Sequence, residues 1–408
     1  LEYPFDGQHA HGGDQNHRGA KRAAKQRMKD MRILITGGLG FIGRTLTRQL
    51  LAEGNHELVL VDNLTEQVHG QNPDYSEITN MANVRHIRED ICKPGVLADA
   101  LQGVEVVYHL AAETGTGQSM YDIERYYRTN VQGTAILLEE IVKSPAGRPR
   151  VLLLASSRSI YGEGAYVEAN QASNPLAQRH YPCARDKSDM AAGRFDFERA
   201  GQPLLAVATK ESDPANPLSL YAASKLAQEH MCQIACQASG VRCVALRLQN
   251  IYGPGQSLRN PYTGIISIFT NILRQGGTID IFEDGKESRD FVYVDDVARA
   301  FRAAATLAPD APSVFNVGYG VATSVSQLVA LLEEKLKTSG KSKISGRFRP
   351  GDIRHNWADI TRMRDTFGFV PEVPLRQGLS ETIDWALTQP IEEDRSEKAS
   401  RELSVLQG

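Results

Sequence analysis

Tyr221 and Lys225 stand four residues apart in Tyr221-Ala222-Ala223-Ser224-Lys225. On a helix that spacing stacks the two side chains on one face. A phenol ordinarily ionises near about pH 10 and is a poor base at neutral pH. A neighbouring ammonium favours the phenolate, so the pair can take the proton of an alcohol. An alcohol that also loses a hydride becomes a ketone, and the hydride needs an acceptor. A seat for that acceptor lies in Thr36-Gly37-Gly38-Leu39-Gly40-Phe41-Ile42-Gly43. Gly37, Gly40 and Gly43 allow a tight turn, close approach of backbone to pyrophosphate, and close helix–strand packing, with free helix N–H groups facing the phosphates. Asp62 ends the next strand-like run, 19 positions after Gly43. A carboxylate there accepts from both ribose hydroxyls and repels a 2′-phosphate; Asn63 and Leu64 follow it rather than Lys or Arg, so NAD is expected over NADP.

These groups need a scaffold. Short β-rich runs at Arg32–Thr36, Leu58–Asp62, Val84–Ile87, Val104–Leu110, Val151–Ser156 and Arg242–Leu246 alternate with helical patterns such as Ile42–Ala52 and Val131–Lys143. That alternation predicts an α/β fold with a doubly wound parallel sheet. Beyond Gly253 the order is less regular, with helices at Ser326–Lys337 and Leu379–Leu387 among short strands, which predicts a smaller C-terminal α/β lobe interleaved with the first. The expected division is 31–252 for the cofactor domain, 253–390 mainly for the substrate lobe, a flexible extension or appended remnant at 1–30, and a charged tail at 391–408. Asp295 and Asp296 are expected to cap the helix after them.

Composition bounds the alternatives. The chain has 408 residues, 41% hydrophobic and 23% charged, with a formal charge of −3. That balance gives no electrostatic reason for a nucleic-acid partner. No run approaches the roughly 18 apolar residues of a membrane span, and the first residues lack a charged-then-apolar leader pattern. Five cysteines, with no Cys-x-x-Cys pair, argue against a disulfide framework or a zinc site, so no metal and a reducing cytoplasm are expected. Cys232 and Cys236 read as small buried hydrophobes.

The Gly-x-x-Gly-x-x-Gly spacing resembles that of the extended short-chain dehydrogenase/reductases, and the resemblance runs from Met31 to about Leu387. It implies a Rossmann fold and further cofactor positions: Phe41, Ile42 and Asn63 around the motif, Asp90-Ile91 beside adenine, Leu110-Ala111-Ala112 of His109–Ala112 under the cofactor, and Asn130 on the following helix. It also implies a catalytic hydroxyl four residues before the Tyr of Tyr161-Gly162, which is Ser157. With Tyr221 and Lys225 this makes a catalytic trio in which Lys225 also bridges the nicotinamide ribose. The 4,6-dehydratases and uronate decarboxylases of that family carry an acidic residue just after this hydroxyl. Here Arg158 and Ser159 stand there, which favours a nucleotide-sugar epimerase over a lyase; a net dehydrogenase and a non-catalytic NAD-binding scaffold remain as alternatives.

Val61–Gly70, Gly115–Tyr121, Asn260–Gly264 and Gly351–His355 resemble segments of bacterial dTDP-L-rhamnose 4-epimerase-type proteins. The resemblance implies a nucleoside-diphosphate sugar as partner and Asn250 near its phosphates. Arg289 and Arg354 are the expected diphosphate clamps, since Arg pairs bidentately with phosphate, with Arg349 in reserve; each is equally compatible with an intramolecular salt bridge. Arg158 is placed on the substrate side. Gln118, Ser119 and Met120 follow the fourth strand, as sugar contacts or as loop structure. Related proteins pair through two helices per subunit, here about Ile123–Lys143 and Leu218–Ser239, so a homodimer is expected, with Leu226, Ile234 and Ala235 in the packing surface or facing the sheet. Ser157 and Tyr221 lie 64 residues apart, and the surplus, about 163–217, is either a lid or a surface insertion.

Overall fold

Alternating residues of the central strands pack in opposite directions. Ile33, Ile35, Leu58, Leu60, Tyr108, Leu153 and Val244 enter one core, and Leu34, Val59, Val61, Val107, Leu152, Leu154 and Ala245 enter another. A sheet buried on both faces needs helices on both. In the computed structural model, which describes residues 30–144, 147–260, 264–349 and 351–391, those helices are present. β1 (Arg32–Thr36), α1 (Phe41–Glu53), β2 (Glu57–Val61), β3 (Val84–Ile87), β4 (Val106–His109), α2 (Gly133–Lys143) and β5 (Val151–Ser157) form the first half. The extension expected at 1–30 and the tail at 391–408 lie outside the described residues, save Asp30 and Ile391, as do positions 261–263.

The stretch after β5 carries a three-stranded antiparallel sheet, β6 (Ala165–Glu168), β7 (Glu198–Arg199) and β8 (Gln202–Val207), in the order β6-β8-β7. α3 (Leu220–Ser239) follows; the Ser219 hydroxyl accepts the Ala222 amide at its start, and Gly240, at φ 70°, ends it. β9 (Arg242–Leu248) re-enters the main sheet. β10 (Asn250–Tyr252), α4 (Ile265–Arg274), β11 (Ile279–Ile281), β12 (Ser288–Arg289), β13 (Phe291–Tyr293), α5 (Val294–Ala304) and β14 (Val314–Val317) come next. β15 (Thr323–Ser324), α6 (Val325–Leu336), β16 (Ser342–Ile344), β17 (His355–Asn356), α7 (Thr361–Phe367) and α8 (Leu375–Thr388) complete the described chain.

The main sheet runs β14-β9-β5-β4-β1-β2-β3, with every neighbouring pair parallel. Chain order reverses between β1 and β4, and the crevice beyond their carboxyl ends is where such sheets bind ligands. The C-terminal region is interleaved: α5 and β14 return to the main sheet, while α4, α6 and α8 surround a separate core of Ile266, Ile279, Phe291, Leu328, Leu332 and Ile383. Among the described residues no helix is long and apolar enough to cross a membrane.

Two local expectations are corrected. The helix expected over 131–143 begins at Gly133, after a π-helical turn at Arg128–Gln132. Asp295 and Asp296 occupy the first turn of α5 rather than its cap, and Asp296 accepts the amides of Glu372 and Val373. Of the residues offered for a dimer face, Ile234 is exposed, whereas Ala235 packs on the second core.

Candidate active site

One cavity of about 750 Å³ opens along the crevice and reaches into the C-terminal lobe. Its first wall is the turn from β1 into α1. Gly37 has φ 69°, and a Cβ there would lie 2.8 Å from the Ala111 amide nitrogen. A Cβ on Gly43 would lie 2.2 Å from the Gly37 carbonyl oxygen. Only glycine fits either position, and the backbone of this turn is open to the cavity, together with Gly40, Phe41 and Ile42. Asp62 lies at the same end. Its carboxylate accepts the amides of Leu39 and Leu64, each at 3.0 Å, and faces the His69 ring at 3.4 Å. Burial alone would raise this carboxyl, but the His69 contact and the two amides outweigh burial and hold it below its usual range. Asn63, Asp90, Ile91, Leu110, Ala111 and Ala112 line the same end. The cradle that two Cβ atoms would fill, and an ionised carboxylate at the end of β2, fit a dinucleotide without a 2′-phosphate.

Asn130 does not reach this wall. It is fully buried; its amide oxygen accepts the Glu113 amide at 2.8 Å, and its amide nitrogen donates to Ser224 Oγ at 2.9 Å. It therefore ties the loop after β4 to α3, and the π-turn that carries it is a correction to its expected place against the cofactor. His109 is a second buried polar group under the site. Its ring bonds to Thr36 Oγ1 at 2.7 Å and Thr134 Oγ1 at 2.8 Å. Burial first, then the charge of Lys225, push its pKa down to about 3, so the ring is neutral and supports Thr36, which accepts the Ala111 amide.

The end of β5 and the start of α3 bring Ser157, Tyr221 and Lys225 to one wall. Ser157 accepts from the Ser159 amide at 3.2 Å and hydroxyl at 2.9 Å, which fixes its side chain. Burial raises the Tyr221 phenol; a hydrogen bond with Ser157 and the charge of Arg158 act the other way. Lys225 donates to the Ala155 carbonyl at 3.0 Å and lies 6.0 Å from the Tyr221 ring centre. Its burial brings the ammonium down to about 7. Arg158 is thus a second cation beside the phenol, in addition to the Lys225 expected from the sequence. Arg158 itself is pushed down to about 9 by burial and by the neighbouring Arg289. Its Nη1 has no partner, and its Nη2 stands 3.5 Å from Asn250 Oδ1.

The far end of the cavity is lined by Asn250, Phe282, Glu287, Arg289, Arg349 and Asp352. Arg289 donates to the Ile353 carbonyl at 2.5 Å and to that of Arg354 at 3.2 Å. Arg349 stacks on Phe282 at 4.7 Å. Arg354 is not there. Its guanidinium is fully buried and shared among Asp284, Asp196 and Glu283 at 2.6–3.0 Å, which corrects the expectation that it clamps a phosphate. Of Gln118, Ser119 and Met120, Met120 alone lines the cavity. Gln118 bonds to Gln67 and Tyr126, and Ser119 donates to the Thr116 carbonyl, so these two hold the loop. Glu287 and Phe282 went unsingled in the sequence; neither carries a local spacing signal, since each reaches the cavity only through the C-terminal lobe.

A doubly wound sheet with a glycine cradle at its first turn and Ser, Tyr and Lys at its crevice defines the architecture of a Tyr–Lys oxidoreductase that uses a dinucleotide. The model of the NAD dependent epimerase/dehydratase family matches residues 33–192 and 198–318, and the chain belongs to that family. It is 36% identical to a dTDP-L-rhamnose 4-epimerase of Burkholderia thailandensis, over 87% of this chain and 94% of that one. It is 32% identical to a UDP-glucose 4-epimerase of Mycolicibacterium smegmatis, over 87% and 98%. Among solved structures, UDP-glucuronic acid 4-epimerase from Bacillus cereus, in complex with UDP-glucuronic acid and NAD, superposes with a TM-score of 0.70 at 26% identity, covering 87% of this chain and 98% of that one.

Proposed function

We propose that the chain is an NAD-dependent epimerase that inverts C4 of a nucleoside-diphosphate sugar, a dTDP-deoxyhexose in the first instance. One observation carries this: beside Ser157 and Tyr221 the cavity wall continues with Arg158 and Ser159. Eliminating water from a sugar ketone needs a carboxyl acid/base pair next to the reacting carbon. This wall offers a guanidinium and a hydroxyl. A 36% identical relative named as a dTDP-L-rhamnose 4-epimerase supports the sugar class.

In this function Tyr221 takes the C4 hydroxyl proton and later gives it back, and Ser157 holds the reacting oxygen. Lys225 would bond the cofactor ribose. Gly37, Gly40 and Gly43 pass close to the pyrophosphate, and Asp62 accepts from the adenosine ribose. NAD, when bound, would supply the hydride acceptor and donor for a transient oxidation at C4. Arg289, Arg349 and Asn250 take the diphosphate, while Met120 and Arg158 border the sugar. Exposed Ile123, Val142 and Ile234, on the α2 and α3 side, give a homodimer its apolar surface, and the reduced cysteines suit a cytoplasmic protein.

The test is a panel of nucleotide sugars with products read by mass and NMR. Unchanged mass with inverted C4, and deuterium at C4 retained in the product, is the expected result. Loss of water indicates a lyase, and deuterium released from the sugar indicates a net dehydrogenase.

A further inference from the structure

The stretch between Gly162 and Leu218 is joined to one short piece of the C-terminal lobe at both of its ends. At entry, Glu163 Oε2 accepts the backbone amide of Arg354 at 2.6 Å. Midway, Arg185 grips Glu283 with both terminal nitrogens, at 2.7 and 2.8 Å, and donates to the Asp352 carbonyl at 2.7 Å. Asp196 accepts from Arg354 Nε at 2.8 Å. At exit, the Thr209 amide donates to the Trp357 carbonyl at 2.9 Å, and Thr209 accepts the Asp359 amide at 2.8 Å. The side chains of Glu163, Arg185, Glu283 and Arg354 are between 1% and 3% exposed.

Four buried charges are a poor source of stability, since apolar residues of the same size would do as well or better. What they supply is position. The backbone they hold, Asp352 to Arg354, is the same backbone to which Arg289 donates. Gly351 and Asp352 line the far end of the cavity, and Arg349 stands just before them. The insertion thus touches the piece of chain that lines the far end of the cavity, while Glu163 and Arg185 themselves lie outside the cavity wall.

We propose that the insertion is a positioning element for the nucleoside diphosphate: Glu163 and Arg185 fix the Asp352–Arg354 backbone so that Arg289 and Arg349 converge on the two phosphates. This rests on the nucleotide-sugar function proposed above. It counts against the lid expectation, since a lid would have to release these buried pairs on each opening, whereas a fixed wall keeps them.

The test uses the full chain with dTDP and UDP as probes in calorimetry, beside NAD binding and hydrogen exchange. Arg185→Met should weaken dTDP or UDP binding tenfold or more, raise KM by a similar factor, and change kcat and NAD affinity less than threefold. Amide exchange at Ile353–His355 should rise in the same variant. Arg185→Lys keeps the charge but cannot fork between Glu283 and Asp352, so it should fall between the two. Should Arg185→Met not fold, Arg185→Lys and Glu163→Gln carry the same readouts. Wild-type binding of dTDP or UDP that folded variants leave within twofold overturns the inference alone. A wild-type chain that binds neither probe overturns the nucleotide-sugar function and this inference with it. Equal losses of kcat, NAD affinity and probe affinity would reduce the insertion to general stability and overturn it too.

Discussion

The two ends of the cavity are built from different materials. The cofactor end is backbone: Gly37 and Gly43 bring main chain against main chain, and the Asp62 carboxylate is held by amides and one ring. The substrate end is side chain. Arg158, Arg289, Arg349, Glu287 and Asp352 line it, and Arg354, Arg185, Glu163 and Glu283 form a paired layer behind. Backbone cradles depend on residues close in sequence, whereas charge layers depend on which long side chains meet across the fold. The cofactor end should therefore fail by sterics or by loss of one carboxylate, and the substrate end by mispaired charge.

The sharpest break falls where the two ends meet. Tyr221→Phe keeps the ring against Tyr126, 6.4 Å between centres, and removes the proton acceptor. Turnover should fall about 10²–10⁴-fold, the usual worth of general-base catalysis, with NAD affinity unchanged in binding assays. Activity near wild type would separate the trio from the chemistry.

Next is a pair of arginines that the sequence treats alike. Arg354→Met takes the buried guanidinium from Asp284 and Glu283, leaving Glu283 to Arg185 and Asp196 to water, and should cost about 3 kcal/mol in denaturant unfolding. Arg289→Met loses bonds to carbonyls only, so stability should change less and KM for the nucleotide sugar should rise about tenfold or more. If the two variants exchange these phenotypes, the layer assignment fails. At the other end, Asp62→Ala should weaken NAD binding by about ten- to hundredfold, the worth of one or two hydrogen bonds to a charged group, and narrow the preference over NADP. A wild type that prefers NADP would contradict the role of this carboxylate.

The same contrast decides what could be read from the chain. The glycine turn, the strand ends and Tyr221–Lys225 all follow local periodicity, and the sheet places them in one crevice. Arg354 was misplaced because a guanidinium suits carboxylate and phosphate equally, and its partners Asp196 and Asp284 come from distant segments. Gln118, Ser119 and Asn130 sit in the right loops but turn inward, a matter of side-chain direction that spacing does not carry. The ties of the 163–217 stretch were illegible for the same reason, as Arg185 finds Glu283 across 98 positions.

Arg158 lines the substrate end yet also acts on the proton acceptor, and the smallest predicted effect is the one that assigns it. It feels the charges of both Arg289 and Tyr221, with one nitrogen unpartnered and Asn250 3.5 Å from the other. The groups acting on Tyr221 are Ser157, which bonds the phenol, and Arg158, whose charge favours the phenolate against burial. Removing that charge leaves burial less opposed, so the phenol rises further and ionises at higher pH. In Arg158→Gln the acid limb of the kcat profile should therefore move to higher pH, by about one unit or less, which is up to tenfold in rate at a fixed pH on that limb. Arg158→Lys keeps a cation nearby and should move it less. A limb that stays in place while KM rises several-fold in Arg158→Gln would show the guanidinium acting on the substrate instead, as part of the charge layer and not of the proton path.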